Sequence, residues 1–185
     1  MTTPFFAGQH YPVIVVGGGQ AGLSASYWLC HHDIDHLVLE KHQAFHAWKN
    51  ERWDSFSLVT PNWQCQLPGH PYDGDDPHGF MVKDQIVAWM ERFRADFEPP
   101  LREGVTVQQV TPRSGGGYGL RTDRGELSAD RVIMAVSVYH QPKVPPCAAA
   151  LPDRVVQLDA SAYRNPDALP DGPVLVVGTG QSGCQ

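Results

Sequence analysis

The sequence has few cysteines, and their spacing excludes the centres that cysteine pairs build. No two of the four form a Cys-x-x-Cys pair in the 185-residue chain. This absence excludes a dithiol redox centre and a zinc ribbon, and it predicts free thiols in a reducing, cytoplasmic environment. The four residues concerned are Cys30, Cys65, Cys147 and Cys184.

Two further absences narrow the class of partner. The net charge is −6 and the sequence contains no cluster of lysine and arginine, which argues against nucleic acid. No apolar run approaches the roughly 20 residues that a membrane helix needs. The N-terminal segment lacks the charged-then-apolar layout of a signal peptide. We therefore expect a cytoplasmic globular protein that uses neither nucleic acid nor a membrane.

The histidines and acidic residues offer no metal site by their spacing. The "CHHDIDH" stretch spans a predicted helix end and a loop, so it presents no shared helix face with a third ligand. The "DGDDPHG" stretch lacks the alternating ligands and terminal glutamate of a calcium loop. We expect no bound metal.

What the chain does contain is a glycine-spaced turn after its first apolar run. Residues 13–16, "VIVV", are typical of a strand buried on both faces of a parallel sheet. Gly17, Gly19 and Gly22 follow at the spacing G-x-G-x-x-G, and a predicted helix comes next. The first glycine permits a tight turn, the second lets a pyrophosphate approach the backbone, and the third lets helix and strand pack closely. The helix N-terminus adds free amides and a positive dipole end.

An acidic residue completes this pattern. A second predicted strand, "HLVLE", ends at Glu40, 18 residues beyond Gly22. A carboxylate at this place accepts hydrogen bonds from ribose hydroxyls. Strand, turn, helix, strand and acid together predict a dinucleotide site.

The end of the chain repeats the apolar run and the glycine-spaced turn. Residues 174–177, "VLVV", predict a strand, and Gly178, Gly180 and Gly183 follow it. Two such units predict two dinucleotides, as in a flavoprotein that holds FAD at one site and NADPH or NADH at the other. Only five residues follow Gly180, fewer than a stable helix needs. We therefore expect the chain to be the N-terminal part of a longer protein.

Between the two units, periodicity predicts one long helix and a set of strands. "DQIVAWMERFRADF" places Ile86, Trp89, Met90, Phe93 and Phe97 on one face, with Asp84 as N-cap. "VTVQQV", "YGLRT" and "GELSAD" predict a small antiparallel meander. "RVIMAVSV" predicts a buried strand, and "VYHQPKVPP" an extended crossover.

These elements predict an α/β fold. Residues 1–150 would form a Rossmann-like dinucleotide-binding domain, a parallel sheet with helices plus the meander. Residues 151–185 would form a linker and the start of a second Rossmann unit.

The chain resembles a known family, the flavin-dependent monooxygenases with two dinucleotide-binding domains. These include flavin-containing monooxygenases, plant YUCCA-type enzymes and Baeyer–Villiger relatives, and a bacterial subgroup of FAD-dependent oxidoreductases is also similar. The resemblance covers nearly the whole length. It rests on "VVGGGQAGLSASYWL", "VLEK", "RWDSFSLVTPNWQCQLPGHPY", "VIMAVSVYHQPKVP" and "YRNPDALPDGPVLVVGTGQSGCQ".

The resemblance implies particular cofactor contacts. FAD would meet the first turn, the acid and two residues beyond it, namely Gly17, Gly19, Gln20, Ala21, Gly22, Glu40, Lys41 and Trp48. Val107 falls where the family contacts adenine through its backbone. NADPH would meet the second turn at Gly178, Gly180, Gln181, Ser182 and Gly183. Asn62 falls where several members place an active-site asparagine, although asparagine after proline is also a common turn residue.

The implied reaction has three steps. NADPH, or NADH, reduces FAD; O₂ adds at the flavin C4a position; one oxygen then passes to a small-molecule substrate. The sequence leaves open the substrate, the choice between NADPH and NADH, and the oligomeric state.

The chain departs from the family at two places. Ala135, Val136 and Ser137 stand where the family usually has Ala-Thr-Gly, so a side chain lies where the backbone would pass close to flavin. Asp159 stands near the family's usual histidine, and its charge would repel NADPH phosphates. These departures leave open a non-catalytic remnant that binds FAD weakly or not at all. A second alternative is a reductase that passes electrons to a protein partner without oxygen insertion.

Overall fold

A computed structural model describes residues 6–138 and 141–185. The first five residues, which belong to the segment tested for a signal peptide, lie outside this description. So do Tyr139 and His140 of the predicted crossover. In the described part of the chain, no helix combines the length and the apolar character needed to cross a membrane.

A six-stranded sheet organises the molecule, in the order β5-β2-β1-β8-β7-β6. The first four strands in this order, β5, β2, β1 and β8, run parallel to one another. They are β1 Phe6–Val16, β2 His36–Leu39, β5 Leu101–Arg102 and β8 Gly125–Met134. β1 lies in the middle, and its residues 13–16 are buried on both faces as their apolar run predicts.

The meander extends the same sheet. β6 Val107–Pro112 and β7 Tyr118–Thr122 pair antiparallel with each other, and β7 pairs antiparallel with β8. The first half of β8 thus carries the meander on one side and pairs with β1 on the other. A separate two-stranded hairpin joins β3 Gln66–Leu67 to β4 His70–Pro71.

Two helices cover one face of the sheet. α1 Gln20–His31 and α3 Lys83–Phe97 bury their apolar residues with Val13, Val15 and Val38 of the strands. The predicted face of α3 is confirmed, since Ile86, Trp89, Met90 and Phe93 are buried. The opposite face holds a second core that includes Ile14, Val16, Leu37, Leu120 and Leu127.

The predicted N-cap of this long helix was wrong. Val82, not Asp84, is the N-cap residue, and the Gln85 side chain accepts a hydrogen bond from its amide at 3.1 Å. Asp84 lies in the first turn, where its charge still suits the helix dipole. A short helix, α2 His46–Asn50, lies between β2 and the hairpin.

Two strand predictions also need correction. The buried strand expected over residues 131–138 is the second half of β8, which ends at Met134, and Met134, Val136 and Val138 are exposed. The strand expected over 174–177 does not form, and its four apolar side chains are exposed. A strand needs a neighbour to satisfy its backbone, and no described strand pairs with these residues. Only the short helix α4 Gln181–Cys184 follows.

Candidate functional site

The first glycine turn joins β1 to α1 through main-chain contacts. Gly17 has φ +111°, a conformation open to glycine, and a side chain there would meet the Ala135 carbonyl oxygen at 2.6 Å. A side chain on Gly22 would overlap the Gly17 carbonyl oxygen. The Gly17 amide donates to Leu39 O at 2.8 Å, and the Ala135 amide donates to Val16 O at 2.8 Å. The turn is therefore held tightly between β2 and the end of β8.

Gly19 differs from both neighbours in the motif. It is the N-cap of α1, its φ of −83° is open to any residue, and a side chain there would find nothing within 4 Å. Gln20 and Ala21, which follow, are exposed. The first turn of α1 contains no acidic residue, and its amides have no intrahelical acceptor. The space in front of Gly19 thus suits an anionic group.

Glu40 lies beside this space. Its Oε2 atom accepts a hydrogen bond from the Gly18 amide at 2.6 Å, and Oε1 accepts one from the His42 amide at 2.8 Å. Each carboxylate oxygen can accept a second bond. The half-buried carboxylate is thus fixed in place with acceptor capacity left for hydroxyl groups, while Lys41 beside it is exposed.

The chain after Glu40 folds back onto the glycine turn. Phe45, fully buried in a left-handed conformation (φ +58°), donates its amide to Gly18 O at 3.1 Å. The neighbouring Ala44 amide donates to Glu103 Oε1 at 2.7 Å. Sequence reasoning missed Phe45 and Glu103, because these contacts join distant parts of the chain and no local pattern marks them.

Val107 begins β6 and is half-buried against the second core. The amide of Val105, two residues earlier, donates to the Glu40 carbonyl at 2.9 Å, and the Gly104 amide donates to His42 O at 3.0 Å. The structure therefore brings the segment before Val107 next to Glu40.

Trp48 is half-buried and belongs to a small aromatic group. Its ring meets Phe56 edge-to-face, with centroids 5.9 Å apart, and the Arg52 guanidinium lies 5.1 Å from its centre. Arg52 also lies 5.6 Å from the Phe56 ring. Burial lowers the pKa of Arg52 below its ordinary value, although Glu51 raises it. Arg52 was not among the sequence predictions.

Asn62 is buried and clamps a loop. Its Nδ2 atom donates to Asp76 O at 2.9 Å, its Oδ1 accepts from the Met81 amide at 2.8 Å, and its own amide donates to Gly79 O at 3.0 Å. These bonds support the turn-forming alternative for Asn62. They place both side-chain polar atoms on the backbone of residues 76–81.

The second glycine turn repeats the shape of the first. Gly178 has φ +119°, and a side chain on Gly183 would overlap the Gly178 carbonyl oxygen, as Gly22 would overlap Gly17. Gly180 is the N-cap of α4 and has open space before it, as Gly19 does. Gln181 and Ser182 open α4, and all six residues of the turn are exposed. The local turn therefore forms without its predicted strand.

Asp159 does not face open solvent as a free anion. Its Oδ1 atom accepts hydrogen bonds from the Ser161 hydroxyl at 2.5 Å and the Ser161 amide at 2.8 Å. These bonds, the hydroxyl first, lower the pKa of Asp159 below its ordinary value. In residues 6–138 and 141–185, no group of three metal-binding side chains comes together.

The family model and the related proteins that match this chain are all described as oxidoreductases or monooxygenases. A family model described as pyridine nucleotide-disulphide oxidoreductase matches residues 14–185. The CzcO-like oxidoreductase of Geobacillus kaustophilus is 36% identical over 174 residues, which cover 94% of this chain and 49% of that protein. Indole-3-pyruvate monooxygenase YUCCA1 of Oryza sativa subsp. japonica is 30% identical over 175 residues, covering 93% and 43%. The chain spans about half the length of these curated relatives.

A solved structure shares the fold. A flavin monooxygenase from Stenotrophomonas maltophilia, in a doubly substituted form, superposes with a TM-score of 0.80 at 24% sequence identity. The alignment covers 95% of this chain and 53% of that one. At this identity the likeness supports the fold alone.

Proposed function

The chain belongs to the pyridine nucleotide-disulphide oxidoreductase family, and on this premise we propose that its first glycine turn binds FAD in a flavin-dependent oxidoreductase of the monooxygenase type. One observation carries the proposal: Gly19 opens onto free space at the N-terminus of α1, beside the fixed Glu40 carboxylate. Neighbouring main-chain atoms occupy the positions that side chains on Gly17 and Gly22 would take, whereas the corresponding position at Gly19 is empty. This is the difference that a bound pyrophosphate requires.

The described residues fit FAD in the following way. The pyrophosphate would take the amides of Gly19, Gln20, Ala21 and Gly22, which point out of the helix start. Glu40 would accept the ribose hydroxyls, and the Val107 backbone would meet the adenine. Gly17 shapes the turn, Lys41 adds a cation near the ribose, and Trp48 would lie near the flavin.

Bound FAD would supply two-electron redox chemistry between a nicotinamide cofactor and O₂, acting on a small-molecule substrate. NADPH or NADH would meet Gly178, Gly180, Gln181, Ser182 and Gly183. The matching shape of the two turns supports this assignment. Because Ser161 already engages Asp159, the carboxylate is held within its own turn.

The proposal also covers the division of the chain, the role of Asn62 and the location of the protein. The chain divides into an FAD-binding part, 1–150, and a segment that begins the NAD(P)-binding part, 151–185. Asn62 would assist oxygen chemistry at the flavin, a role that competes with its loop contacts. The four free thiols support a reducing, cytoplasmic location.

The test is FAD binding followed by reduction. The purified chain is titrated with FAD, and any flavin that binds is mixed with NADPH or NADH without oxygen. We expect micromolar FAD binding, weakened at least tenfold by Glu40→Ala but not by Glu126→Ala on the exposed side of β8. A chain that binds no FAD would support the non-catalytic alternative. Reduction that proceeds to an added electron acceptor, with no oxygen consumption, would support the reductase.

A further inference from the structure

The loop after Trp53 is built as a rigid support. The Lys83 amide donates to Phe56 O at 2.9 Å, the Leu58 amide donates to Met81 O at 2.9 Å, and Ser57 forms an antiparallel bridge with Val82. Residues 54–58 are thereby bonded to the start of α3, whose apolar face is buried in the core. We call residues 54–58 the support loop.

The segment that leads to the second glycine turn is bonded to this loop. The Asp54 amide donates to Arg164 O at 2.8 Å, and Asn165 Nδ2 donates to Asp54 Oδ2 at 2.7 Å. The other carboxylate oxygen of Asp54 accepts from Lys83 Nζ at 3.2 Å. Asp54 thus connects the segment at Asn165 to the first residue of α3.

The attached segment is itself ordered at this point. The Arg164 guanidinium donates to Ser161 O and, at 2.8 Å, to Tyr163 O. Asn165 Oδ1 accepts from the Ala168 amide at 3.0 Å and so caps a short 3-10 helix over Pro166–Ala168. Both atoms of the Asn165 amide group are therefore used, one within the segment and one on Asp54.

A second bond ties the far side of the glycine turn to the same loop. Gln185 Nε2, at the end of α4, donates to Ser57 O at 3.0 Å. The support loop therefore holds residues on both sides of the second glycine turn: residues 164–165 before it and Gln185 after it. The exposed apolar residues 174–177 lie between these two attachments.

We propose that Asp54 is a positioning residue that, through Asn165 and Lys83, sets the place of the second glycine turn relative to the FAD-binding half. The inference rests on the proposed function, in which FAD binds at the first glycine turn and NADPH or NADH at the second. The distance between the two turns then sets the distance between the two cofactors. The Asn165 hydrogen bond is also the largest cause that lowers the pKa of Asp54, followed by the bond from Lys83.

The test uses the full chain and a donor–acceptor exchange. Asn165→Asp keeps the cap on Ala168, since a carboxylate also accepts, but it removes the donor to Asp54 and adds a like charge. The double variant Asp54→Asn/Asn165→Asp restores one donor and one acceptor with their positions exchanged. Trypsin cleavage after Arg164 reports local opening of this contact, and cleavage after Arg154 is the internal reference.

We expect Asn165→Asp to speed cleavage after Arg164 about threefold relative to an unstructured peptide that carries the same substitution, because an aspartate directly after arginine slows trypsin in any chain. About threefold corresponds to the free energy of an exposed charged pair, and cleavage after Arg154 should not change. The exchange variant should return to within about twofold of the parent. Gln157→Ala is the matched control, since the Gln157 amide bonds only within the segment, to Ala148 O at 3.3 Å. Unchanged cleavage in Asn165→Asp, or no recovery on exchange, would overturn the proposal.

A distance measurement separates positioning from local folding. Spin labels on Cys184 and on Ala95→Cys of α3, in a Cys147→Ser background, report the separation of the second turn from the first half. We expect a broader distance distribution in Asn165→Asp and recovery in the exchange variant; an unchanged distribution would contradict the inference. Neither readout uses a cofactor, so a failure to bind FAD would count against the proposed function alone.

Discussion

A side chain on Gly22 would overlap the carbonyl oxygen of Gly17, so the first glycine turn and α1 touch through main-chain atoms. This contact fixes where the helix begins. It leaves Gly19, three residues earlier, open to solvent at the helix N-terminus. Packing at two glycines thus creates the free space at the third.

Replacing Gly22 by alanine should destabilise the protein. The helix propensity of alanine would contribute about 1 kcal/mol, but the overlap with Gly17 O forces a main-chain shift that costs about 1–3 kcal/mol. The balance of these two contributions is a net loss of up to about 2 kcal/mol in the free energy of unfolding, measured in urea. Gly115→Ala, in a turn where a side chain meets nothing within 4 Å, should change it by less than about 0.5 kcal/mol. Equal stability of the two variants would contradict the described packing.

Removing the Asn62 side chain should also destabilise the chain. Asn62→Ala leaves the buried Met81 amide without the acceptor it has at 2.8 Å, which costs about 1–3 kcal/mol. Gln64→Ala, two residues away and exposed, is the control and should be nearly neutral. Urea unfolding of both variants gives the comparison. If Asn62→Ala were as stable as the parent, the loop clamp would be wrong and the catalytic role of Asn62 would gain support.

The four thiols should react in two groups. Burial raises the pKa of Cys30 and of Cys65, which reduces their thiolate fraction, whereas Cys147 and Cys184 are exposed. With a thiol-specific chromogenic reagent at pH 8, we expect two fast and two slow equivalents. Unfolding in urea should make all four fast. Rapid labelling of Cys65 in the folded chain would contradict its burial.

The carboxyl group of Asp159 should titrate below its ordinary range. Because its folded pKa is depressed, its turn is stabilised above the unfolded pKa, near about 4, and loses this contribution as pH falls through the folded pKa. Ser161→Ala should raise the Asp159 pKa, measured by carbon NMR of the carboxyl group, since the hydroxyl bond is the largest cause of the shift. Ser161→Thr keeps the hydroxyl and should leave the pKa low; equal values in the two variants would refute this cause.

Local patterns were sufficient for the first unit of the fold. The apolar run over residues 13–16, the glycine spacing and Glu40 each report on near neighbours, and the structure forms the strand, turn and helix they predict. The same holds for the buried face of α3. Pairing across long stretches was not visible: β1 begins at Phe6 because residues 6–11 align with 125–129 of β8. The Asp54–Asn165 bond, 111 residues apart, leaves no local trace either.

In the second unit the same local pattern is present, but the strand that it predicts does not form. Residues 174–177 are as apolar as 13–16, yet they form no strand, because β-structure depends on a neighbour and not on the run itself. The turn after them still takes the shape of the first, with positive φ at Gly178. Turn geometry is thus a local property of G-x-G-x-x-G, while the strand before it is not.

The most direct test of the central claim is FAD binding by Gly19→Ala, with thermal stability measured on the same samples. Position 19 has a φ open to alanine and nothing within 4 Å, so the variant should fold as the parent does. A methyl group there would occupy the space assigned to the pyrophosphate, and we expect the affinity for FAD to fall at least about tenfold. A parent chain that binds FAD at micromolar concentration and a folded variant that does not would support the account. Equal FAD affinity of the two proteins would contradict it.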